Sequence, residues 1–133
     1  MRLWPEQILN KIPRQQLLGQ HRECCALRGK GWGKPHSTIN YIFEYKLEDL
    51  IAYHLRVMDM MEKRGYNPNE KWREYKYRGK KVGYDNKIKE KIVNEKYNQE
   101  SYIYDEHNQE YLQECIINLD NKGCICRFLE GVI

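Results

Sequence analysis

The sequence lacks long apolar runs. No stretch of its 133 residues approaches the roughly 18–20 apolar residues that a membrane-spanning helix needs. Residues 1–5, MRLWP, contain no apolar core of a signal peptide. Neither a P-loop nor a Gly-rich dinucleotide fingerprint is present. These absences argue against a transmembrane protein and a conventionally secreted one, and the length predicts one cytoplasmic domain rather than a large multidomain enzyme.

The sequence also lacks the paired cysteines of a disulfide framework or a zinc site. The number of cysteines is odd, and no two of them have the C-x-x-C spacing of structural zinc sites. Two are adjacent and two form a C-x-C pair. We therefore expect reduced thiols that mostly fill the core, with no metal and no cofactor. The five cysteines are Cys24, Cys25, Cys115, Cys124 and Cys126.

Charge is unevenly distributed along the chain, although the net charge is only +4. Residues 1–36 carry a net charge of +5 and residues 71–92 a net charge of +6. Residues 37–70 carry −2, and residues 93–133 carry −5. Two basic blocks separated by a weakly acidic segment favour a polyanion-binding face built from both of them. The alternative from charge alone is an ordinary solvated surface on which the basic residues cluster by chance.

Apolar periodicity predicts a mostly α-helical, compact single-domain bundle with long basic loops. The clearest helix covers about residues 46–64, with an apolar stripe and Gly65 directly after its end. A second helix is expected to begin at Pro13 and run to about Leu27. Its predicted core-facing residues are Leu17, Leu18, His21 and Cys25.

The remaining segments give weaker signals. A short helix is predicted at about residues 5–11, and residues 39–45 suit either a helix start or a short extended piece. Residues 66–85 are expected to form a loop, and the Lys-rich residues 86–99 have too little periodicity to be assigned. A last helix is predicted at about residues 106–122. Its predicted N-cap is Asp105, its buried stripe is Leu112, Cys115, Ile116 and Leu119, and Gly123 follows its end.

Arg22 and Glu23 are the best candidates for chemistry from their residue types alone. Gly19 and Ala26 share their helix face, so a bulky ligand can approach the backbone there. An arginine can hold a phosphate while the neighbouring carboxylate handles protons. The alternative is an ordinary surface ion pair.

Three segments together resemble the pyrimidine-dimer DNA glycosylase family of the phage endonuclease V type. They are QLLGQHRECCALRG at residues 16–29, GKPHSTINYIFEYKLEDLIAYHLRVMDMMEKRGYN at residues 33–67 and WREYKYRGK at residues 72–80. The resemblance implies an all-α fold without a metal that excises UV-induced dimers from double-stranded DNA and nicks the abasic site. It divides the chain into a glycosylase-like core, residues 1–82, and an acidic C-terminal extension with one helix, residues 83–133.

The resemblance also implies roles for individual residues. Glu23 matches the family's catalytic acid, Arg22 the phosphate-gripping arginine beside it, and Arg2 the arginine next to the family's N-terminal residue. The family's aromatic and basic DNA-contacting segment is matched by Trp72, Tyr75, Lys76, Tyr77, Arg78 and Lys80. That segment normally lies near the C-terminus, whereas about 50 residues follow it here.

Two further residues complete the predicted DNA-binding set. Arg14 begins the helix that carries Glu23 and adds to the first basic block. His36 follows the basic loop at residues 29–37 and is expected to contact a DNA phosphate or to orient Glu23.

In this family the nucleophile is the α-amino group at the N-terminus. An α-amine has an unperturbed pKa of about 7.7–8.0 and is partly neutral near pH 7, whereas an ordinary lysine at about 10.4 is not. Arg2 is too bulky for removal of the preceding methionine, so the Met1 amine is the predicted nucleophile. The alternatives are that catalysis is lost or has moved to a lysine such as Lys11 or Lys30.

The sequence leaves other interpretations open. One alternative is a non-catalytic nucleic-acid-binding module that uses the same basic face. Another is a metal-free RNase in which the acid and base are supplied by His21, Glu23 or His36. The acidic residues 93–133 suit an interaction segment for a partner, or a segment that folds over the basic face. His21 and His54 are predicted to be hydrogen-bonded residues at or near the core, and the protein is expected to be a monomer.

Overall fold

Residues 2–34 and 39–121 are described by the computed structural model, with side chains up to Leu119. Within these ranges the chain forms four α-helices, and its one β pairing is an isolated antiparallel bridge between Tyr77 and Tyr84. The mostly α fold expected from the sequence is confirmed. The helices are α1 (Arg14–Arg28), α2 (Leu47–Lys63), α3 (Glu90–Asn98) and α4 (Gln109–Asn121), with short 3₁₀ helices at Glu6–Ile8, Asn40–Glu44 and Glu70–Arg73.

Helix α2 is the centre of the fold and packs against both α1 and α3. Its middle is buried on every side, which is the position of a helix enclosed by other elements. The helix ends as the sequence predicts: Gly65 has φ +91°, and Tyr66 N donates to Met61 O at 2.8 Å. These bonds satisfy carbonyl groups that the last turn would otherwise leave without a partner.

Helix α1 has the predicted extent, and its buried face matches the predicted one in part. Leu17 is buried as expected, whereas Leu18, His21 and Cys25 are only half-buried. Leu18 still packs against the main core, and His21 contacts the buried His54, but the most deeply buried stripe of α1 also includes two polar side chains. The other buried side chains of α1 are Gln20, Cys24, Leu27 and Arg28.

Two local predictions also need correction, and two segments that the sequence leaves open contain helices. The short helix expected at residues 5–11 is one 3₁₀ turn at Glu6–Ile8, and residues 39–45 contain another at Asn40–Glu44. The Lys-rich segment, to which periodicity assigns no element, contains α3, whose Val93 is buried. Asp105 does not cap the last helix: Asn108 Oδ1 accepts from Tyr111 N at 3.0 Å, so α4 begins later than predicted.

The chain after residue 82 contributes to the same interior as the chain before it. The buried stripe predicted for α4 is confirmed for Leu112, Cys115 and Leu119, which belong to the main core, while Ile116 packs beside it. A second cluster joins α2 to Ile88 and Val93. Cys24, Cys25 and Cys115 are free thiols, whereas Gly123, Cys124 and Cys126 lie outside the described residues. Among the described helices none is long and apolar enough to cross a membrane.

His107 is a buried titratable group for which the sequence gives no signal. Its side chain is 1% exposed, its Nε2 lies 2.6 Å from Tyr41 Oη, and its ring stacks on that of Tyr111. Burial lowers the pKa of His107 to about 3. The folded protein therefore keeps this imidazole neutral at pH values where the unfolded chain protonates it.

Acidification is expected to destabilise the protein through His107. Between pH 6.5 and about 3 the unfolded state binds a proton that the native state does not, so the free energy of unfolding falls as the pH falls. The slope is at most about 1.4 kcal/mol per pH unit for one histidine. Urea denaturation at pH 7, 6 and 5 measures how the free energy of unfolding changes with pH in the wild type and in His107→Gln. The pH dependence should be smaller in the variant by the contribution of His107. Equal slopes in both proteins would contradict the assignment.

Candidate active site and nucleic-acid interface

The N-terminal segment is held against α1 by the side chain of Gln20. Trp4 N donates to Gln20 Oε1 at 2.5 Å, and Gln20 Nε2 donates to Arg2 O at 3.2 Å. Tyr53 Oη lies 3.0 Å from the same Gln20 oxygen and 2.5 Å from Trp4 O, so its single O–H is shared between these two acceptors. With Leu3 and Trp4 fully buried, the backbone of residues 2–4 is fixed on α1.

Glu23 lies one helical turn after Gln20. Side chains three residues apart on a helix are neighbours, about 5–6 Å apart at Cβ, so Glu23 follows on the same side of α1 as the residue that anchors the N-terminal segment. Glu23 is half-buried, and among the described residues no hydrogen bond or ion pair engages its carboxylate. Arg22 beside it is exposed. Met1 and His36 lie outside the described residues.

The guanidinium of Arg2 is directed to α4. Arg2 Nη1 donates to Glu114 Oε1 at 3.0 Å, and the guanidinium carbon lies 5.9 Å from the centre of the Tyr111 ring. Although burial opposes it, the hydrogen bond to Glu114 raises the pKa of Arg2. Arg14, by contrast, is exposed, and its guanidinium lies 5.5 Å from the Tyr66 ring.

A basic groove runs between the end of α1 and the segment that follows the third 3₁₀ helix. Its volume is about 400 Å³, and none of its described lining residues is acidic. Part of each basic block lines it, so the two blocks identified in the sequence meet in space. The basic residues of the groove are Lys30, Arg78, Lys80 and Lys81, and Cys25 and Trp72 line it as well.

The buried guanidinium of Arg28 fixes one wall of this groove. It donates to the carbonyl oxygens of Trp72 at 2.8 Å, Glu74 at 3.0 Å and Tyr77 at 2.9 Å, and Nη1 lies 3.0 Å from His54 Nδ1. The guanidinium carbon also lies 5.1 Å from the Trp72 ring. Burial lowers the pKa of Arg28 to about 10, so it stays charged near neutral pH. Backbone dipoles therefore solvate this cation and bind the 72–77 segment to α1.

Arg78 joins the same two segments from the other side. Its Nε donates to Arg28 O at 2.6 Å, its Nη2 to Gly29 O at 3.1 Å, and its Nη1 pairs with Asp85 at 3.0 Å. Gly31 allows the α1 end to close tightly here, since a Cβ on it would lie 2.8 Å from Ala26 O.

The other predicted DNA-contacting residues are engaged within the protein to different degrees. Tyr77 is 6% exposed and packs on Trp72 with ring centres 4.8 Å apart. Tyr75 Oη donates to Asn94 at 2.5 Å, and Lys76 Nζ lies 3.9 Å from Glu90. Lys80 is exposed at the surface of the groove. The predicted segment thus supplies the frame of the groove as well as some of its charge.

A cluster of His21, Cys25 and His54 lies beside the groove, and nothing in the sequence connects the three residues as a unit. His21 Nδ1 is 2.8 Å from His54 Nε2, and the three potential ligand atoms lie within 4.8 Å of one another. It is the one group of this kind among the described residues. Burial lowers the pKa of His54 well below 6.5 and, more weakly, that of His21, while it raises the pKa of the Cys25 thiol to about 12.

Some residues of the candidate site had little or no signal in the sequence. Lys30 and Lys81 belong to the basic blocks, but nothing in their spacing distinguishes them from other lysines of the blocks. Gln20 and Arg28 are polar residues at core-facing positions of α1, which is itself a signal of a structural or functional role.

The fold and the site define a small α-helical protein with a basic groove suited to a polyanion such as DNA. The profile of a family described as pyrimidine dimer DNA glycosylase matches residues 1–74, more than half of the chain. The chain therefore belongs to the pyrimidine dimer DNA glycosylase family, as its resemblance indicated. No curated protein and no solved structure gives a match.

Replacing Arg28 is expected to unfold part of the groove. Arg28→Gln removes the shared donor of three carbonyl groups, and a buried polar group without a partner costs about 1–3 kcal/mol. We expect a loss of about 3 kcal/mol or more in the free energy of unfolding. The matched control is Arg22→Gln, the same change at an exposed site of α1, with an expected effect within about 0.5 kcal/mol. Chemical denaturation of both variants checks this, and a similar small effect in both would contradict the role of Arg28.

Proposed function

We propose that this protein is a monomeric, cytoplasmic DNA glycosylase and abasic-site lyase that acts on double-stranded DNA containing a pyrimidine dimer. The family membership supports the substrate class, and the anchoring of residues 2–4 on Gln20, one helical turn before Glu23, supports the chemistry. The anchoring of the N-terminal segment by Gln20 is the observation on which the proposed mechanism depends. A family whose nucleophile is an N-terminal amine requires an anchored N-terminus next to a carboxylate.

In the proposed reaction, the unprotonated α-amine of Met1 adds to C1′ of the deoxyribose. The bond from C1′ to the base nitrogen breaks, and the base leaves with that electron pair. The amine proton passes to O4′ as the sugar opens to an imine. Removal of a proton from C2′ then expels the 3′ phosphate, which nicks the strand.

Glu23 is the residue that we assign to both charge stabilisation and proton transfer. A carboxylate near C1′ stabilises the cationic sugar, and the same group removes the C2′ proton in the elimination step. The absence of a described partner for Glu23 leaves its oxygens available for these roles. The α-amino group supplies the neutral amine that the reaction needs at pH 7, because the ordinary pKa of an α-amine lies well below that of a lysine side chain.

The basic groove is the surface that we assign to the DNA backbone. Lys30, Lys80 and Lys81 place charge where phosphates would lie, and Arg22 adds an exposed guanidinium next to Glu23. Neutralising several phosphates releases counterions, so binding is expected to weaken steeply with salt. The groove has its walls fixed by Arg28 and Arg78, so little ordering is needed on binding. The individual roles of Arg2, Arg14, His36 and the 72–80 segment remain predictions.

Borohydride trapping tests the proposed chemistry. Untagged protein is mixed with a duplex that carries one abasic site, and borohydride reduces any imine to a stable secondary amine. We expect a covalent adduct that peptide mass spectrometry maps to residue 1. Because acid–base catalysis typically contributes about 10²–10⁴-fold and Glu23 is assigned to the elimination that follows imine formation, Glu23→Gln should nick the abasic-site strand about 100-fold or more slowly while the adduct still forms.

The control is Glu62→Gln, an exposed carboxylate of α2 that lies outside the groove. It should form the adduct and nick the strand at the wild-type rates. An adduct at Lys11 or Lys30 would move the nucleophile to a lysine, and salt-sensitive DNA binding without any adduct would leave a non-catalytic binding module.

A further inference from the structure

Three side chains form a continuous hydrogen-bonded series from the core to the surface beside the groove. Arg28 Nη1 lies 3.0 Å from His54 Nδ1, and His54 Nε2 lies 2.8 Å from His21 Nδ1. Arg28 and His54 are fully buried, whereas His21 is half-buried. The series therefore ends on a side chain that solvent and substrate can reach.

The chemistry of the first member sets the direction of every bond in the series. A guanidinium has five N–H donors and no acceptor, so His54 Nδ1 accepts from Arg28 and carries no proton. The single proton of a neutral His54 then lies on Nε2, which donates to His21 Nδ1. By the same rule the proton of His21 lies on Nε2. The lowered pKa values of both histidines are consistent with neutral rings, and their causes are burial first and then nearby arginines.

The resulting N–H of His21 is on the ring nitrogen nearer to Cys25. His21 Nε2 is 3.7 Å from the Sγ of Cys25, which itself lines the groove. Burial keeps Cys25 as a thiol, and its sulfur is a weak acceptor, so this N–H has no strong partner in the described structure. Arg22 and Glu23 follow His21 on the same helix.

We propose that His21 is a DNA-contacting residue that donates a hydrogen bond from Nε2 to a phosphate oxygen beside the lesion, with Arg28 and His54 as positioning residues that select this tautomer. The inference rests on the proposed function for the identity of the ligand. An isolated neutral imidazole populates two tautomers. Here the hydrogen bonds that begin at Arg28 select the His21 tautomer that carries its proton on Nε2. This is a donor that needs no net charge and therefore keeps its form across the neutral pH range.

A metal ion would require a different arrangement of the same three ligands. Two nitrogens bound to one tetrahedral zinc ion at about 2.0–2.1 Å lie about 3.3 Å apart. The two imidazole nitrogens here are closer, within hydrogen-bonding distance at 2.8 Å. A metal on His54 Nε2 would also leave its ring with no proton, since Nδ1 already accepts from Arg28, and the cation of Arg28 adds charge repulsion. The hydrogen-bonded series accounts for the cluster better than a metal site does.

Ring nitrogen NMR of the uniformly ¹⁵N-labelled protein tests the tautomers without DNA. In the wild type at pH 7.5 we expect His21 and His54 each to show protonated Nε2 and unprotonated Nδ1. His54→Gln retains an N–H donor toward His21 and should preserve the His21 pattern, whereas His54→Leu should give His21 an averaged pattern of both tautomers. A protonated Nδ1 on either histidine of the wild type, or a pattern that changes on addition of one equivalent of Zn²⁺, would overturn the assignment.

Binding to an abasic-site duplex tests the contact itself. A hydrogen bond to a charged phosphate corresponds to at least a roughly tenfold change in affinity, so His21→Leu should bind at least tenfold more weakly than the wild type. His21→Gln places an amide N–H near the position of Nε2 and should recover most of the affinity. Wild-type binding with unchanged affinity in His21→Leu would overturn this inference alone, while a wild type that neither binds nor forms an adduct would overturn the proposed function with it.

Discussion

The arrangement of this protein depends on one buried cation, the guanidinium of Arg28. A fully buried charge without ligands would be prohibitively costly, and here three backbone carbonyl groups and one imidazole nitrogen solvate it. Those carbonyls belong to a segment 44–49 residues further along the chain. The interaction therefore brings the second basic block against the end of α1, forms the groove between them and orients His54. The Arg28 side chain therefore contributes to the fold, to the placement of the basic residues and to the candidate site.

The site is assembled from more of the chain than the family match covers. The match ends at residue 74, yet Arg78, Lys80 and Lys81 line the groove, and Glu114 holds the side chain of Arg2. The buried face of α4 packs into the core that also encloses Leu3 and Trp4. Residues 75–121 therefore contribute to the same core and the same candidate site as residues 2–74. Among the described acidic residues after residue 92, none lines the groove, so the predicted covering of the basic face by residues 93–133 gains no support from this part of the chain.

Local signals in the sequence predict the elements that depend on local physics. Helix α2 is predictable because a long apolar stripe ends at a glycine with positive φ, and α4 because its stripe is clear. The core face of α1 is only partly predictable because its buried Gln20 and Arg28 are polar. Their burial is favourable only through distant partners, residues 2–4 for Gln20 and residues 72–77 for Arg28. Arg2 shows the same limit: its partner Glu114 is 112 residues away, so no spacing rule connects them. The basic blocks are correctly located by charge counting, but their meeting in one groove follows from the Arg28 contacts. The tautomers inferred for His54 and His21 likewise follow from interatomic distances, which no sequence pattern gives.

Excision at a defined lesion is the measurement that tests the central claim most directly. A duplex with a single thymine cyclobutane dimer, its undamaged counterpart and a duplex with one abasic site are each incubated with excess wild-type protein at low salt. The account predicts single-turnover cleavage of the glycosidic bond and a nick at the dimer, a nick at the abasic site and an intact undamaged strand. A protein that binds all three duplexes equally and leaves the dimer strand whole would contradict it.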